Sequence, residues 1–184
     1  MALIQVNLEE MNLLLVDDSR TDRLILKSIL KEVGVGLVRQ AENGEDALEQ
    51  LKTFPADLVI CDLHMDPMDG IEFTRRVRDP GKSPNPILPV LMVTADSTPE
   101  RVQEALGAGI NGFMSKPVKP DTLRRQITGL FSRPMIFVRV EGRLIPLRTG
   151  ARPDAEVEGA AKQPKKAAGN SAAPPKRAAA AAGR

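Results

Sequence analysis

Short runs of apolar residues alternate along this chain with longer segments in which apolar residues recur every three or four positions. The central run, 58–61, is wholly apolar, which is typical of a strand buried on both faces of a sheet. Further predicted strands lie at 13–16, 37–41, 89–94 and 112–115. Each run is followed by a segment of helical period, so the pattern predicts βα units.

The predicted helices begin and end at recognisable residues. Ser19 is a suitable N-cap for the first helix and Gly34 a suitable end. The fourth helix is expected to begin at Ser97 or Thr98 and to close at Gly107 and Gly109. The stripe that we expect the first helix to bury consists of Ile25, Leu26, Ile29, Leu30 and Val33. Five alternating strands and helices predict an α/β doubly wound (βα)5 fold with a five-stranded parallel sheet.

Chemically active side chains follow four of the five predicted strands. Asp17 and Asp18 end the first strand, Asp62 the third and Thr94 the fourth, and Lys116 follows the fifth. The carboxyl ends of parallel strands about 4.8 Å apart share one edge, where ligands bind in open α/β sheets. Three carboxylates held together repel one another unless a cation joins them. A hard divalent ion with oxygen ligands, Mg²⁺, is the natural cofactor.

This set of groups is suited to receiving a phosphoryl group. The Asp62 carboxylate is the candidate nucleophile, and Thr94 is placed to donate a hydrogen bond to a transferring oxygen. Lys116 and the metal would offset negative charge on the other oxygens. The expected product is an aspartyl phosphate.

At this point the chain resembles a known family. Residues 12–132 resemble the receiver domain of two-component response regulators, the flavodoxin-like family that includes the CheY proteins. The residues that carry the resemblance, in order, are Asp17-Asp18, Asp62, Met68-Asp69-Gly70, Thr94-Ala95 and Lys116-Pro117. It implies a stand-alone phosphoacceptor that is phosphorylated by a sensor histidine kinase or a histidine phosphotransfer protein and then binds a downstream protein. It also implies that the protein is not an enzyme that turns over a substrate. Its only reactions would be Mg²⁺-dependent self-phosphorylation from a phosphodonor and slow autodephosphorylation.

The resemblance assigns further roles residue by residue. Asp18 would be the more direct Mg²⁺ ligand and Asp17 would act largely through water, with the backbone carbonyl of His64 as a further ligand. Phe113 takes the position of the switch aromatic, which would turn inward as Thr94 moves towards the phosphoryl group; the simpler interpretation of Phe113 is a core residue. The Lys116-Pro117 peptide is expected to be cis, with Pro117 fixing the turn.

Three residues are expected to tune the site, His64 and Asp96 through the lifetime of the phosphoryl group and Asp66 through either metal affinity or that lifetime. Asp66 stands where the family commonly has proline, and this adds a carboxylate to the loop near the predicted metal site. His64 and Asp96 occupy positions that in the family contact the attacking water. His64 alone, without a second His or Cys, is otherwise an ordinary solvent-facing loop residue.

The composition of the chain indicates the cellular compartment. Cys61 is the single cysteine and excludes an internal disulfide, and its place inside the central strand predicts inert core packing. No stretch approaches the roughly 20 apolar residues of a membrane span. Glu9 and Glu10 stand where a signal peptide would need its cleavage region. We therefore expect a cytoplasmic protein without a membrane partner; the sequence does not indicate an oligomeric state.

The segments outside the predicted domain are less informative. Residues 1–11 form an extension that pairs with the domain or packs on it. Residues 133–148 are compatible with a hairpin that docks on the domain or on a partner, or stays mobile, and Pro146 would confine its second strand to an edge. Residues 149–184 carry seven Lys or Arg against three Asp or Glu and predict a disordered basic tail.

Two other classes of function stay open. The tail makes a nucleic-acid-associated regulator an alternative, although it has no aromatic residue to stack on bases, so we expect no nucleic-acid partner. A receiver-like module that binds partners without phosphorylation is the second. A phosphohydrolase of the haloacid dehalogenase type would need a second Asp where His64 stands, and salt-sensitive nucleic-acid binding or steady phosphomonoester turnover would distinguish these classes.

Overall fold

The structure, a computed structural model, describes residues 6–132 and 134–147. Five parallel strands form one sheet in the order β2-β1-β3-β4-β5. The strands are β1 (Asn12–Val16), β2 (Leu37–Ala41), β3 (Leu58–Cys61), β4 (Val90–Thr94) and β5 (Gly112–Ser115). The helices between and after them are α1 (Arg20–Val33), α2 (Gly44–Leu51), α3 (Gly70–Val77), α4 (Pro99–Ala108) and α5 (Pro120–Phe131). The predicted doubly wound (βα)5 fold is confirmed. The predicted basic tail, 149–184, lies outside the described residues.

The three central strands are apolar because both of their faces are covered. β3 and β4 are buried at every position, and alternate residues of each strand belong to two different core layers. Val59 and Cys61 pack in one layer, whereas Leu58 and Ile60 pack in the other. No helix within residues 6–132 and 134–147 is long and apolar enough to cross a membrane.

The first helix buries a different stripe from the one that its sequence suggested. Leu26, Leu30 and Val33 are buried, but Ile25 is 52% exposed. The buried residues follow an i, i+4, i+7 pattern, and Ile25 lies about 100° around the helix from Leu26. The apolar side chain of Ile25 is therefore a surface feature.

The ends of α4 and α2 are also set by the structure. α4 continues through Gly107 to Ala108, and Gly109 alone, with φ of 106°, forms the left-handed cap. Thr98 stands at the N-cap position of α4 but makes no hydrogen bond from its side chain. Phe54 lies beyond the end of α2 at Leu51, yet is buried.

The described part of the amino-terminal extension, residues 6–11, is part of the fold. Residues Leu8–Glu10 form one 3₁₀ turn, and Leu8 and Met11 are buried in the core layer beside α1. The N–H of Gly36 donates to the carbonyl oxygen of Leu8 at 2.9 Å. Any side chain at Gly36 would collide with the backbone of Glu9, so glycine permits this close approach. The extension therefore packs on the domain.

The second sheet is a hairpin of β6 (Ile136–Val140) and β7 (Arg143–Leu147). Its two-residue turn has positive φ at Glu141 (49°) and Gly142 (83°), which is typical of a type I′ turn. The hairpin docks on the domain rather than standing free: the N–H of Leu144 donates to the Arg78 carbonyl oxygen at 2.9 Å. The Arg78 guanidinium also lies 5.5 Å from the ring centroid of Phe137.

Arg78 is a buried cation at the amino edge of the sheet. Its guanidinium donates to the carbonyl oxygens of Gly109, Pro86 and Leu88 and to Oδ1 of Asn111, at 2.6 to 3.0 Å. Burial lowers the pKa of Arg78 to about 10. Four acceptors thus stand in for the water that the charge has lost, and they connect the ends of α3 and α4 with the starts of β4 and β5.

Candidate functional site

The carboxyl edge of the sheet brings the predicted carboxylates together. Val16 and Cys61 are partners in the β1–β3 register, so the residues that follow them, Asp17 and Asp62, leave neighbouring strands at the same level. The N–H of Asp62 donates to the Val16 carbonyl oxygen at 2.8 Å. Carboxylate oxygens of Asp17, Asp18 and Asp62 all lie within 4.8 Å of one another.

This cluster fits a hard divalent cation. Oδ1 of Asp62 is buried and has no hydrogen-bond partner in the described part of the chain. An orphaned carboxylate oxygen beside two further carboxylates is costly without a cation and is the donor set that Mg²⁺ prefers. The exposed side chain of Asp66 is not a member of this cluster, although the sequence suggested a carboxylate near the metal site. The Asp66-Pro67 peptide, like Lys116-Pro117, is cis.

The surroundings of Asp62 oppose its ionisation. Burial raises the pKa of Asp62, and the Asp17 carboxylate raises it further, while Lys116 lowers it. The upward shift is the net result. An additional positive charge in the cluster would therefore favour the ionised, nucleophilic form.

Lys116 connects the cluster to the first helix. Its Nζ donates to Oδ2 of Asp17 at 2.8 Å and to Oδ2 of Asp22 at 2.6 Å, and lies 3.6 Å from Oδ1 of Asp62. Burial alone would lower the pKa of Lys116, but the hydrogen bonds to Asp17 and Asp22 raise it above its usual range. The ammonium is shared among three carboxylates, and the phosphoacceptor candidate is the most distant of them.

Two residues of α1 complete the site, and the sequence analysis missed both. Asp22 binds Lys116, and the buried Arg23 donates to the carbonyl oxygens of Asp17 and Asp18 at 2.6 and 3.2 Å. Arg23 thereby fixes the backbone of the acidic pair. Their positions in the first turn of α1, directly after the acidic pair, were the available signal.

Thr94 ends β4 inside the same pocket. Its side chain is buried, and its Oγ1 accepts a hydrogen bond from the N–H of Asp96 at 3.2 Å. The hydroxyl proton is thus left to donate elsewhere. The backbone N–H of Lys116 donates to the Thr94 carbonyl oxygen at 2.8 Å, which brings the ends of β4 and β5 together.

His64 and Asp96 form a pair above the pocket. Nε2 of His64 lies 3.1 Å from Oδ2 of Asp96, and the His64 side chain is 56% exposed. The hydrogen bond with His64 lowers the pKa of Asp96. The two residues that the resemblance assigns to tuning thus contact each other across the β3–α3 and β4–α4 loops.

Phe113 does not have the outward orientation from which a switch aromatic would turn inward. It is 5% exposed and packs in the core layer with Met92 and Ala105. A phenyl ring has no hydroxyl to reach water, so burial is its preferred state without any phosphoryl group. The ring therefore points inward in this structure, as both a core residue and an inward-turned switch aromatic would, and the switch role of Phe113 stays a prediction. Cys61 is also wholly buried, and burial raises the pKa of its thiol well above the usual value.

Comparison with known sequences agrees with this geometry. Residues 13–128 match the model of the response regulator receiver domain. The chain is 36% identical over 125 residues to chemotaxis protein CheY-3 of Vibrio cholerae serotype O1, covering 68% of this chain and 95% of that protein. It is 37% identical over 123 residues to chemotaxis protein CheY of Pseudomonas aeruginosa, covering 67% and 98%.

Solved structures show the same fold. The chemotaxis response regulator CheY4 of Vibrio cholerae superposes with a TM-score of 0.59 at 32% identity, covering 65% of this chain and 98% of that one. The signal receiver domain of a signal transduction histidine kinase from Syntrophus aciditrophicus gives a TM-score of 0.59 at 32% identity, covering 66% and 90%. The shared part lies within residues that form the (βα)5 sheet and its site.

Proposed function

Because the chain belongs to the response regulator receiver family and is a phosphoacceptor response regulator of two-component signalling, we propose that Asp62 is its phosphoacceptor. The single observation that carries this assignment is the buried Oδ1 of Asp62, which has no hydrogen-bond partner in the described part of the chain and lies between carboxylates and Lys116. The role of the chain is signalling rather than turnover of a substrate.

The proposed transfer is a displacement at phosphorus. A carboxylate oxygen of Asp62 attacks the phosphorus, an O–P bond forms, and the P–N bond of a phosphohistidine breaks, so the electron pair returns to the imidazole of the donor. Asp18, Asp62 and the His64 backbone carbonyl would hold Mg²⁺, with Asp17 acting largely through water, and the bound ion would supply positive charge that offsets the negative charge of the phosphoryl oxygens. Hydrolysis of the aspartyl phosphate by water later returns the carboxylate.

Lys116 and Thr94 are the protein groups that we assign to the phosphoryl oxygens. The ammonium of Lys116 needs to move only from Asp22 towards Asp62 to reach them, since it already lies 3.6 Å from Oδ1. The Thr94 hydroxyl is close enough to Asp62 to lower the pKa of that carboxyl, so its proton is available for a second oxygen. Both donors are fixed by strand ends, so little reorganisation accompanies the transfer.

A donor protein must reach the carboxyl edge, and α1 presents an apolar surface there. Leu24 and Ile25 are 57% and 52% exposed, and Ile25 lines a groove with Lys116 and Pro117. We assign this surface to the sensor histidine kinase or histidine phosphotransfer protein. A cytoplasmic location and the downstream protein partner remain predictions from the sequence.

The output follows from a population shift. A phosphoryl group on Asp62 draws the Thr94 hydroxyl towards it, and the hydrogen bond between Thr94 and the Asp96 N–H transmits the movement to the loop before α4. The surface that changes in this proposal is formed by α4, β5 and α5. Contact of His64 with Asp96 makes both residues candidates for tuning the phosphoryl lifetime, and Asp66 remains a third.

Acetyl phosphate labelling of the intact protein tests the assignment. We expect a mass gain of one phosphoryl group in Mg²⁺, none in EDTA, and none in Asp62→Asn. Asp66→Asn is the matched control, since it removes a carboxylate outside the acidic cluster and should still be labelled. Mg²⁺ binding is followed by calorimetry, because the chain has no Trp or Tyr. Labelling of Asp62→Asn, or no labelling of folded wild type with bound Mg²⁺, would overturn the proposal.

A further inference from the structure

The β6–β7 hairpin exposes an unusual amount of apolar side chain. Nine large apolar residues are exposed in the described residues, and five of them lie in the hairpin or directly before it. They are Met135, Ile136, Val138, Val140 and Leu147. Opposed residues of an antiparallel pair share a face, so Ile136 with Leu147, Val138 with Ile145 and Val140 with Arg143 define one mainly apolar face.

One edge of the hairpin is attached to the domain and the other is open. The N–H of Leu144 on β7 donates outward to the Arg78 carbonyl oxygen. The side chain of Ile145 also lies within 3.2 Å of the space that a Cβ at Gly109 would occupy. Among the strands in the described residues, β6 has β7 as its single neighbour, and four of the five residues of β6 are exposed.

The hydrogen-bond alternation identifies the groups on the open edge. Since the N–H of Leu144 points away from β6, the facing pair Arg139–Leu144 is a non-hydrogen-bonded pair of the hairpin. By the same alternation, Phe137 and Pro146 form another non-hydrogen-bonded pair. The N–H and C=O groups of Phe137 and Arg139 therefore point outward from β6. An open edge of this kind is a template for another strand.

We propose that the hairpin is a homodimerisation element in which β6 pairs antiparallel with β6 of a second copy, about a two-fold axis at Val138, to give a four-stranded sheet. This register places Phe137 opposite Arg139 of the second copy, and the reverse pair is generated by symmetry. Both residues carry outward groups, so each of the two pairs exchanges two hydrogen bonds and all four outward groups of each strand are used.

Side-chain complementarity favours a second copy as the occupant. The axis places Val138 opposite itself and Ile136 opposite Val140, so apolar side chains meet on one face. Arg139 meets the Phe137 ring instead of another arginine, which avoids a like-charge pair and allows a cation–π contact. Residues 148–184 contain Val157 as their one branched aliphatic residue and offer no apolar strand to cover β6.

The interface is small, so the dimer is expected to be weak and dependent on concentration. Sedimentation velocity of the full chain, at protein concentrations rising to about 0.1 mM, a range suited to small interfaces, should show a rising sedimentation coefficient. A single monomer species over that whole range would overturn the proposal. Asp62→Asn should associate like the wild type without phosphodonor, so this result is separate from that of the proposed phosphorylation.

Two substitutions test the edge itself. Arg139→Pro removes an outward N–H that the hairpin does not use and should abolish association while β6–β7 pairing survives. Val138→Lys places two ammonium groups face to face on the axis and should also give monomer. Leu37→Lys, at an exposed apolar position of β2, is the matched control and should associate like the wild type. Circular dichroism and thermal unfolding show that each variant is folded, independently of phosphorylation.

Charge reversal tests the register. Because the axis places residue 138 opposite itself, a mixture of Val138→Lys and Val138→Glu chains should form heterodimers, whereas each variant alone stays monomeric. Association of Val138→Lys alone, or no heterodimer in the mixture, would overturn the proposed pairing. A monomeric Leu37→Lys would also count against it, since the loss would then not be specific to the hairpin.

Discussion

A cation lies at each of the two ends of the strands, the buried Arg78 at the amino edge and the half-buried Lys116 at the carboxyl edge, and the two are solvated in opposite ways. At the amino edge, the Arg78 guanidinium donates to four neutral acceptors in fixed backbone and amide positions. At the carboxyl edge, the Lys116 ammonium is shared among three carboxylates, and Oδ1 of Asp62 has no hydrogen-bond partner in the described residues.

The difference separates a structural charge from an exchangeable one. Every acceptor of Arg78 is a group that the fold must place correctly anyway, so the cation stabilises one arrangement of α3, α4 and the hairpin. The acids around Lys116 compete for it, and no arrangement satisfies all of them. A site whose carboxylates lack enough positive charge gains the most stability when a cation binds or when a phosphoryl group changes its charges.

The largest expected effect is at the amino edge. Arg78→Ala leaves three carbonyl oxygens and the Asn111 amide without their donor and opens a cavity, so we expect the free energy of unfolding to fall by about 3–5 kcal/mol. Chemical denaturation followed by circular dichroism measures this change. Arg76→Ala is the control, since exposed Arg76 pairs with Glu72 on the surface of α3, and its cost should stay below about 0.5 kcal/mol. Equal costs would contradict a structural role for Arg78.

A smaller effect of opposite sign is expected at the carboxyl edge. Asp62→Asn removes a carboxylate whose burial, without metal, opposes its charge, so the metal-free variant should be more stable than wild type by about 0.5–2 kcal/mol at pH 7. Thermal unfolding in EDTA measures the difference. Asp57→Asn, a change at an exposed carboxylate of the amino edge that accepts the Asn12 N–H, should give no such gain.

The pH dependence of that gain has a definite sign. The pKa of Asp62 is raised in the folded state, so its protonated form favours folding and its ionisation costs stability as pH rises through the folded pKa. The stability gap between Asp62→Asn and the wild type should therefore close as pH falls towards about 4, near the ordinary pKa of Asp. A gap that widened in acid would show that Asp62 is stabilised as a carboxylate.

The smallest effect concerns the acid that competes for Lys116. Asp22→Asn removes the carboxylate whose Oδ2 accepts a hydrogen bond from Nζ of Lys116 at 2.6 Å. Asp17 is then the main carboxylate partner of the ammonium. We expect labelling by acetyl phosphate to quicken by roughly two- to fivefold, the equivalent of a partly exposed ion pair of about 0.5–1 kcal/mol. Asp121→Asn, an acid in the first turn of α5, is the control and should label at the wild-type rate. A slower rate in Asp22→Asn would mean that Asp22 positions Lys116 for transfer.

The sequence was most informative where one residue type and one strand end decide the outcome. Buried runs fixed the order of strands, and the carboxyl-edge rule was enough to bring Asp17, Asp62 and Lys116 together before any coordinates. The hairpin was recognisable from its Glu141-Gly142 turn, but its docking on Arg78 was not, because that contact joins residues 66 positions apart.

The sequence was least informative for contacts that depend on side-chain direction. Ile25 and Leu26 are both apolar neighbours on α1, and only the packing of the helix decides which one is buried. Asp22 has the usual appearance of an acid in a first helical turn, where the helix dipole alone explains it. The switch role of Phe113 rests on resemblance alone and stays a prediction.

Docking of the hairpin also determines at which edge of the sheet the chain continues after residue 147. Met135, just before β6, accepts a hydrogen bond from Asn111, whose side chain in turn accepts from the N–H of Val90 at the first position of β4. Leu147 pairs with Ile136 next to this point. A fluorescent protein or an immobilisation tag joined after residue 147 would therefore start at the pole opposite Asp62. The protein can be tethered to a sensor surface by that end with its phosphate-receiving pole facing the solution.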